Sequence, residues 1–371
     1  MKIGILGGGQ LGRMLIQDAL KYDDEFYILD PNADCSCANI SFFTQGSFND
    51  KQTVIDFGKD KDVVSIEIEH VNVEGLEALE NQGVKVIPTS NIIKIIQQKI
   101  LQKQFYEEHQ IPSPAFQIIL SKEEEIIMDF PFVQKLNTGG YDGKGVQIIR
   151  DENDFNNLWD EPSVLENLVD IDKELSLIIA KNESGEIKSF PVSEMVADPK
   201  LNLLDFNICP AQISKEVQIQ IDAIAEKFMN AANSEGLFAI ELFLDKDGKV
   251  WVNETAPRLH NSGHQSQEGN VNSQFEQFYR VLKNLPLANT ESCGFSGMLN
   301  LVGEENFSGK VKYEGLTDVL QLSNTYVHLY GKTHTKPGRK MGHINVLANS
   351  LEDLLEQLIR IKSLVKVVAA P

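Results

Sequence analysis

The feature that most restricts the fold is a regular alternation of short apolar strands and helices over residues 1–90. Runs of Ile, Val and Leu predict buried strands at 2–6, 26–29, 63–68 and 84–87. The spacing of apolar residues between them predicts helices at 10–22 and 75–81. Strands joined by helices pair in parallel, and the helices cover the faces of the sheet. The segment is therefore predicted to be an α/β unit built on a parallel sheet.

A chain of 371 residues is longer than one hydrophobic core usually organises, so two or three domains are expected. Residues 91–110 predict a helical connector, which Pro112 and Pro114 close as a domain boundary. Beyond it the pattern mixes strands with Gly- and Asn-rich turns and predicts one helix at 217–232. The last segment opens at 294 and ends in a predicted helix at 351–365.

Composition excludes several classes of protein. With 42% hydrophobic and 24% charged residues, the chain is expected to be globular rather than disordered. A net charge of -20 argues against a nucleic-acid-binding face, which needs clustered Lys and Arg. No membrane-spanning run and no signal peptide are predicted, so we expect a cytoplasmic protein without membrane contact. The cysteines, which include Cys35 and Cys37, lack zinc-site spacing and are expected to be reduced thiols.

The first glycine-rich motif, GGGQLG at 7–12, follows a predicted strand and opens a predicted helix. With Asp30 at the end of the next strand, it fits the fingerprint of dinucleotide-binding proteins, in which a helix N-terminus attracts phosphate. Alone, the motif leaves open a nicotinamide or flavin cofactor, another phosphate, or no ligand. Because the motifs beyond residue 98 concern a nucleoside triphosphate and a metal, we expect the turn to hold the phosphate of a substrate.

A second glycine-rich loop, NTGGYDGKG at 137–145, lies between predicted strands at 132–136 and 146–149. Such a loop can fold over phosphates and offer them backbone N–H groups. It is not a P-loop, because it lacks the G-K-[ST] sequence and no helix begins there. Lys135 and Lys144 flank the glycines and favour phosphate binding over the alternative, a flexible hairpin.

Two further segments could meet the rest of a nucleotide. Residues 166–169 end a predicted strand, and exposed edge backbone there could pair with an adenine ring. Glu174, on the following strand, could accept hydrogen bonds from ribose hydroxyls. Each signal is weak alone, and their order along the chain is what favours a nucleotide site.

A predicted hairpin carries the most telling pair of carboxylates. Glu241 lies among apolar residues on one strand, Glu254 lies on the return strand, and a DKDG turn at 245–248 joins them. Neighbouring carboxylates repel one another unless a cation lies between them or one is protonated. Together with a triphosphate, these hard oxygen ligands predict Mg²⁺. The alternative is two solvated strand glutamates.

Five segments together resemble the ATP-grasp family of 5-(carboxyamino)imidazole ribonucleotide synthases of purine biosynthesis. They are GGGQLGRM at 7–14, EIEHV at 67–71, GGYDGKG at 139–145, NETAPRLHNSGH at 253–264 and KPGRKMGH at 336–343. The resemblance implies an ATP-grasp fold of mixed α/β and α+β class. Its domains would be a Rossmann-like parallel-sheet domain at 1–95, a central two-part ATP-grasp domain at 96–290 and a small β-rich domain at 291–371.

The resemblance also implies the reaction. ATP would phosphorylate bicarbonate, and the exocyclic amine of 5-aminoimidazole ribonucleotide would capture the resulting carboxyphosphate, or CO₂ from it. ATP and Mg²⁺ would be the cofactors, the ribonucleotide and bicarbonate would be the small-molecule partners, and the protein would be a homodimer.

The same resemblance implies roles for individual residues. The catalytic residues would be Arg258, His260, Tyr141 and Asp142, and the metal ligands Glu241 and Glu254. The ATP site would comprise Lys99, Lys135, Gly140, Tyr141, Asp142, Gly143, Lys144, Gly145, Val146, Glu166, Asn167, Leu168, Val169, Glu174, Asn253 and Glu254. The substrate residues would be Gln10, Leu11, Glu69, Asn261, Ser262, Lys332, Arg339 and Lys340. The family usually carries Arg where this chain has Lys99, and often His where it has Ala197.

Elementary chemistry agrees with two of these roles. The oxyanion that develops on carboxyphosphate needs a preorganised cation, and Arg258 offers a bidentate fork. Lys332, Lys336, Arg339 and Lys340 form a basic segment in an acidic chain, which suits a substrate phosphate better than a solvated charged turn. Asp142 and His260 are both candidates for proton transfer.

Three alternatives remain at the level of sequence. Another ATP-grasp ligase, such as a formate-using glycinamide ribonucleotide transformylase, should lack the patterns at 258–264 and 336–343. A Rossmann oxidoreductase needs only the first glycine turn. A catalytically silent ATP-binding regulatory protein should not keep the Glu241 and Glu254 pair.

Overall fold

The computed structural model describes residues 1–139, 145–198 and 203–370. Its first part is a parallel sheet with helices on both faces. The strands are β1 (Lys2–Leu6), β2 (Glu25–Asp30), β3 (Phe42–Gln45), β4 (Val63–Ile66) and β5 (Lys85–Ile87). The helices are α1 (Gln10–Ala19), α2 (Lys51–Gly58), α3 (Val73–Asn81) and α4 (Ser90–Gln97). The strand order is β3-β2-β1-β4-β5, and every neighbouring pair is parallel. The predicted parallel α/β unit is confirmed.

Alternation along the strands explains the two layers of helices. Ile3 and Ile5 face the α1 side, whereas Val64 and Ile66 face α2 and α3. The sequence did not predict β3 or α2. Strand β3 has no buried residue, so the apolar run that marks a buried strand is missing.

The predicted connector is two helices rather than one. Helix α4 ends at Gln97, and α5 (Lys99–Glu108) begins after Gln98, whose backbone is extended. Because of this break, α5 is a separate helix, and two of its lysines contact carboxylates on strands that follow.

A small antiparallel sheet comes next. Its strands are β6 (Phe116–Ile119), β7 (Phe132–Leu136), β8 (Val146–Ile149) and β9 (Ser163–Asn167), in the order β6-β9-β7-β8. Ile119, Phe132 and Leu165 form its core. The glycine loop joins β7 to β8, as the sequence predicted.

A large antiparallel sheet follows. Its first strands are β10 (Ile171–Lys181), β11 (Ile187–Ser189), β12 (Ser193–Asp198), β13 (Leu203–Cys209), β14 (Gly236–Asp245) and β15 (Val250–Ala256). The helices beside them are α6 (Lys215–Ala232), α7 (Ser266–Gly269) and α8 (Gln274–Leu282). Ile221 and Phe228 of α6 pack on Leu177 and Ile240 of the sheet.

The last segment contains β16 (Phe295–Val302), β17 (Gly309–Glu314), α9 (Leu316–Val319), β18 (Thr325–Leu329), β19 (His334–Thr335), β20 (Lys340–Ala348), α10 (Leu351–Leu364) and β21 (Lys366–Ala369). Strand β16 pairs with β13, so the large sheet runs β15-β14-β10-β12-β13-β16-β20-β18 without a break at residue 290. Strands β19, β17 and β21 form a separate small sheet. Continuous pairing places β20 beside the elements that carry residues 258–264. In the parts of the chain described, no helix is long and apolar enough to cross a membrane.

Candidate active site

The turn between β1 and α1 is filled by the protein's own carboxylates. The N–H of Gly8 donates to Asp30 Oδ2 at 2.8 Å, and that of Leu11 donates to Glu67 Oε1 at 3.2 Å. A Cβ on Gly9 would overlap both carboxylate oxygens of Glu67. The glycine therefore makes room for Glu67. The N–H groups of Gly8 and Leu11, which a dinucleotide pyrophosphate could otherwise use, are therefore already bonded to carboxylates of the protein.

This arrangement corrects the expectation that the turn itself holds a substrate phosphate. The side chain of Leu11 is buried in the core beside α1. A phosphate near the turn would have to be bound by neighbouring side chains. Gln10 is one of them, because its side chain reaches the basic segment described below.

Glu67 is a site residue that the sequence did not single out. Burial raises its pKa to about 7, although Arg258 and the amides of Leu11 and Gly9 oppose the shift. Alternation in the sequence EIE would place Glu67 and Glu69 on the same side of the predicted strand, and this signal could have identified Glu67, although the strand itself ends at Ile66.

Arg258 makes an ion pair with Glu69, with 2.6 Å between Nη2 and Oε1. Its Nη1 donates to the carbonyl oxygen of Leu259 at 2.8 Å. The guanidinium is largely buried, which by itself would lower the pKa of Arg258. The charge and hydrogen bond of Glu69 oppose this effect, and the pKa is raised, so the guanidinium stays charged. A predicted catalytic residue, Arg258, and a predicted substrate residue, Glu69, are thus neighbours.

His260 lies between two halves of the site. Its Nδ1 is 2.8 Å from Ser262 Oγ, which is 2.7 Å from Ser176 Oγ, and its Nε2 is 3.4 Å from Glu241 Oε1. Burial lowers the pKa of His260 to about 3, and the charges of Arg258 and Lys340 add to the effect. The imidazole is therefore neutral near pH 7.

The two residues after His260 differ in exposure. Ser262 is completely buried, so its hydroxyl orients the His260 ring and does not face a substrate as expected. Asn261 is partly exposed, and its Nδ2 has no hydrogen-bond partner among the described residues.

The basic segment meets the glycine turn across a separation of 322 residues. Lys332 Nζ donates to Gln10 Oε1 at 2.9 Å and to the carbonyl oxygen of Lys340 at 2.8 Å. Burial lowers the pKa of Lys332 to about 8, and Arg339 and Lys340 push it in the same direction. Arg339 Nη1 donates to the carbonyl oxygen of His334 at 2.6 Å. Four of the predicted substrate residues, Gln10, Lys332, Arg339 and Lys340, are therefore neighbours.

A network of lysines and carboxylates lies on the other side of His260. Lys99 Nζ is 2.5 Å from Glu254 Oε2, and Lys135 Nζ is 3.0 Å from Glu166 Oε2 and 2.8 Å from Asn253 Oδ1. Lys103 Nζ is 3.2 Å from Glu166 Oε1. The sequence did not assign Lys103, although it lies one helical turn after Lys99 on the same face of α5.

The sequence predicted that exposed backbone at 166–169 could pair with adenine, and this prediction is wrong for Glu166 and Asn167. Glu166 and Asn167 belong to β9, which is flanked by β6 and β7, so their backbone is paired on both sides. Leu168 and Val169 follow the strand, and Leu168 is 41% exposed. Glu174 lies on β10, where burial raises its pKa.

The carboxylate hairpin has the predicted register. Glu241 on β14 lies opposite Glu254 on β15, and Asn253 Nδ2 donates to Glu241 at 3.4 Å. Burial raises the pKa of Glu241, and the charge of Glu254 adds to the shift; Lys99 holds the pKa of Glu254 down. Two neighbouring hard-oxygen ligands with opposed pKa values fit a divalent cation. The described residues contain no group of three or more His, Cys, Asp or Glu side chains suited to a metal, so Mg²⁺ would need water and phosphate oxygens as further ligands.

Residues 140–144 lie outside the described part of the chain, and with them Gly140, Tyr141, Asp142, Gly143 and Lys144. The expectations for these residues therefore remain predictions. Gly145 and Val146 follow directly, and the carbonyl oxygen of Gly145 accepts from the N–H of Leu136 at 2.9 Å. This bond closes the described base of the loop.

His264, His328 and His343 form a histidine stack. Ring centroids are 4.7 Å apart for His264 and His343 and 4.5 Å apart for His328 and His343. His343 Nδ1 is 2.9 Å from the hydroxyl of Tyr330, and Gln274 Nε2 is 3.2 Å from His264 Nδ1. Burial lowers the pKa of His264 and of His343 well below the usual value. No sequence spacing predicted this stack, because its members come from separate elements.

Comparison with known proteins agrees with this geometry. Family models match the ribonucleotide synthetase preATP-grasp domain at 1–97, the ATP-grasp domain at 104–275 and the phosphoribosylaminoimidazole carboxylase C-terminal domain at 296–357. The N5-carboxyaminoimidazole ribonucleotide synthase of Brucella melitensis is 34% identical, over 92% of this chain and 95% of that protein. The chain belongs to the N5-carboxyaminoimidazole ribonucleotide synthase family.

Solved structures of that family have the same fold. The N5-carboxyaminoimidazole ribonucleotide synthetase of Thermotoga maritima is 39% identical, covers 100% of this chain and 99% of its own, and superposes with a TM-score of 0.92. The Aspergillus clavatus synthase in complex with ADP and 5-aminoimidazole ribonucleotide is 29% identical over 98% of both chains, with a TM-score of 0.87. The chain spans 68% and 65% of the length of two fungal phosphoribosylaminoimidazole carboxylases that it also matches.

Family membership confirms the resemblance predicted from the five sequence segments and the predicted ATP-grasp fold. The chain is accordingly an ATP-grasp enzyme of the predicted family rather than a Rossmann oxidoreductase. The carboxylates that occupy its glycine turn supply the physical reason.

Proposed function

We propose that this protein uses ATP and bicarbonate to carboxylate the exocyclic amine of 5-aminoimidazole ribonucleotide, forming N5-carboxyaminoimidazole ribonucleotide, ADP and phosphate. The observation that carries the proposal is the position of His260. Its Nε2 contacts Glu241 of the carboxylate hairpin, and the charges of Arg258 and Lys340 bear on the same ring. A site for phosphoryl transfer and a site for an anionic substrate therefore share one residue.

The first half of the reaction needs stabilised phosphates. Lys135, Lys99 and the loop 140–146 would hold the triphosphate, and Glu241 and Glu254 would hold Mg²⁺. The ion would neutralise charge on the phosphate oxygens. The amines of Lys99 and Lys135 now pair with Glu254 and Glu166, so both are already positioned in the site. A bicarbonate oxygen would attack the γ-phosphorus, and ADP would leave.

The second half of the reaction forms the carbon–nitrogen bond. The amine nitrogen would attack the carboxyl carbon of carboxyphosphate, or CO₂ released from it, and phosphate would depart. Arg258 would stabilise the oxyanion with its two-pronged guanidinium. His260, whose ring is oriented by Ser262, would take the proton that the amine loses. Gln10, Lys332, Arg339 and Lys340 would bind the substrate phosphate.

An ADP-release assay with each substrate omitted in turn tests the proposal. Rapid ADP formation should require both bicarbonate and the aminoimidazole ribonucleotide. Arg258→Lys keeps the charge but loses the fork, and should lower the rate by on the order of a hundredfold. Arg150→Lys, at an exposed arginine just after the end of β8, is the matched control and should leave the rate unchanged. Turnover that ignores the imidazole nucleotide and instead uses formate or an amino acid would refute the assignment.

Three further expectations belong to the same proposal. The protein would be a cytoplasmic homodimer, which light scattering during gel filtration tests as twice the chain mass. The division at 1–95, 96–290 and 291–371 would mark functional segments. Pairing of β13 with β16 implies that the last segment does not fold separately, because its sheet would lose an edge partner.

A further inference from the structure

Gln274 is a buried glutamine that the proposed mechanism leaves unused. It is the first residue of α8, it is 0% exposed, and its side chain contacts the segment that carries His260. A buried amide needs hydrogen-bond partners at both of its ends, because an unpaired polar group away from water is unfavourable. The partners of this amide therefore indicate what Gln274 does.

The amide of Gln274 binds both polar groups of the His260 backbone. The N–H of His260 donates to Gln274 Oε1 at 3.0 Å, and Gln274 Nε2 donates to the carbonyl oxygen of His260 at 2.7 Å. A neighbouring antiparallel strand would make the same pair of bonds. Strand β15 ends at Ala256, so His260 lies beyond the sheet, and the glutamine supplies these two bonds instead of a strand.

Further contacts fix the position of the glutamine itself. Gln274 Nε2 is 3.2 Å from His264 Nδ1, and the backbone N–H of Gln274 donates to Ser266 Oγ at 2.9 Å. A Cβ on Gly263 would lie 2.7 Å from both Cδ and Oε1 of Gln274, so the glycine leaves the space that the amide fills. The amide therefore has little room to move, and the same holds for the backbone that it binds.

The start of α8 is also attached to the first part of the chain. Ser273, the N-cap of α8, donates through its hydroxyl to Asp18 on α1. Phe275 is buried in the core that α1 shares with the first sheet. Helix α1 begins at Gln10, one of the residues proposed to bind the substrate phosphate. The segment that holds His260 is thereby connected to the helix that carries a proposed substrate residue.

We propose that Gln274 is a positioning residue, which holds the backbone of His260 so that the imidazole stays against Glu241 and Ser262. The inference rests on the proposed function, in which His260 takes the proton that the amine loses. The ring has Nε2 at 3.4 Å from Glu241 Oε1 and Nδ1 at 2.8 Å from Ser262 Oγ. Because Gln274 is completely buried, it acts through His260 and not on a substrate.

A positioning role predicts a loss of kcat with little change in KM. A displacement of a reacting group by about 1 Å lowers a rate by on the order of a hundredfold. ATP and the substrate phosphate would be held by Lys135 and Lys332, which lie on other elements than the Gln274 amide and its partners. An interaction that matters only during the chemical step lowers kcat and kcat/KM equally.

Gln274→Met keeps the length of the side chain and removes its hydrogen bonds. We expect it to lower kcat for ADP release by on the order of a hundredfold and to leave the KM values for ATP and the imidazole nucleotide nearly unchanged. Gln277→Met is the matched control. Gln277 lies on the same helix, is also 0% exposed, and accepts from the N–H of Ala288 at 2.7 Å. Equal losses of kcat in the two variants would overturn the proposal, because they would reflect general damage to α8.

A double-mutant cycle with His260→Ala identifies the route of the effect. If Gln274 acts through His260, Gln274→Met should lower kcat no further in the His260→Ala background. A full additional fall in that background would overturn the role of Gln274.

Gly263→Ala gives a second perturbation that serves if Gln274→Met fails to fold. Its methyl group would displace the Gln274 amide without removing a hydrogen-bonding group, and kcat should fall. In the Gln274→Ala background the shorter side chain leaves room for the methyl group, so Gly263→Ala should then lower kcat no further. An unchanged kcat in Gly263→Ala alone, or an equal fall in both backgrounds, would contradict the proposal.

The wild-type protein separates failure of this inference from failure of the proposed function. Wild-type ADP release that needs both bicarbonate and the imidazole nucleotide, together with an unchanged kcat in Gln274→Met, would overturn the role of Gln274 alone. Wild-type ADP release that needs neither substrate would refute the proposed reaction, and with it the role of His260 on which this inference rests.

Discussion

Acidification from pH 7.5 to 5.5 is expected to destabilise this protein through its histidine stack. His264 and His343 are both 0% exposed, and burial keeps the pKa of each well below the usual value. In the unfolded chain a histidine has a pKa near 6.5. The unfolded state therefore binds protons below pH 6.5 that the folded state cannot bind. As a result, the free energy of unfolding decreases as the pH is lowered. Over this interval the loss is about 1.4 kcal/mol for each such histidine.

His343→Gln tests this magnitude. The substitution removes the titrating ring and keeps a polar group for the hydroxyl of Tyr330. Urea unfolding at the two pH values gives the free energy lost on acidification, and we expect the variant to lose about 1.4 kcal/mol less than the wild type. Other groups, such as Glu67 with its raised pKa, oppose the acid loss but cancel in this comparison.

His334→Gln is the control, because His334 is exposed on β19 and should leave the acid loss unchanged. An identical loss in wild type and His343→Gln would refute the reasoning. It would mean that His343 binds its proton in the folded state, and that the stack opens without unfolding.

Three other perturbations have defined outcomes. Glu254→Gln should keep the circular dichroism spectrum of the wild type and lose Mg²⁺-dependent ADP release; full activity would remove Glu254 from the metal site. Gly9→Ala should lower the free energy of unfolding in urea by about 1–3 kcal/mol, because the new methyl group would overlap the Glu67 carboxylate; an unchanged midpoint would contradict this packing. Lys332→Met should raise the KM for the imidazole nucleotide about tenfold and leave the KM for ATP unchanged; equal effects on both constants would argue against a substrate-phosphate role.

Much of the fold was predictable because its signals are local. Four strands of the first sheet appear in the sequence as apolar runs, and the DKDG turn predicts the hairpin that carries Glu241 and Glu254. The exposed strand β3 and the short helix α2 lack such a signal and were not predicted. The continuity of β13 with β16 also has no local signal, since pairing between distant strands is decided by the register of whole sheets.

The candidate site shows the same division. Gln10, Lys332 and Arg258 were identified from motifs, whereas Glu67, Lys103 and the histidine stack were not. Ser262 was expected to face substrate and instead lies buried beneath His260. Exposure of a side chain depends on what packs over it, and a motif carries no information about that.

By itself the sequence determined the family, and it predicted most of the elements and the candidate site residues, because these depend on residue type and spacing along the chain. Only the tertiary structure decided which groups share one site. It filled the glycine turn with Asp30 and Glu67, and it placed Lys332 against Gln10. These contacts join residues far apart in the chain, and their distances arise from the packing of sheets and helices.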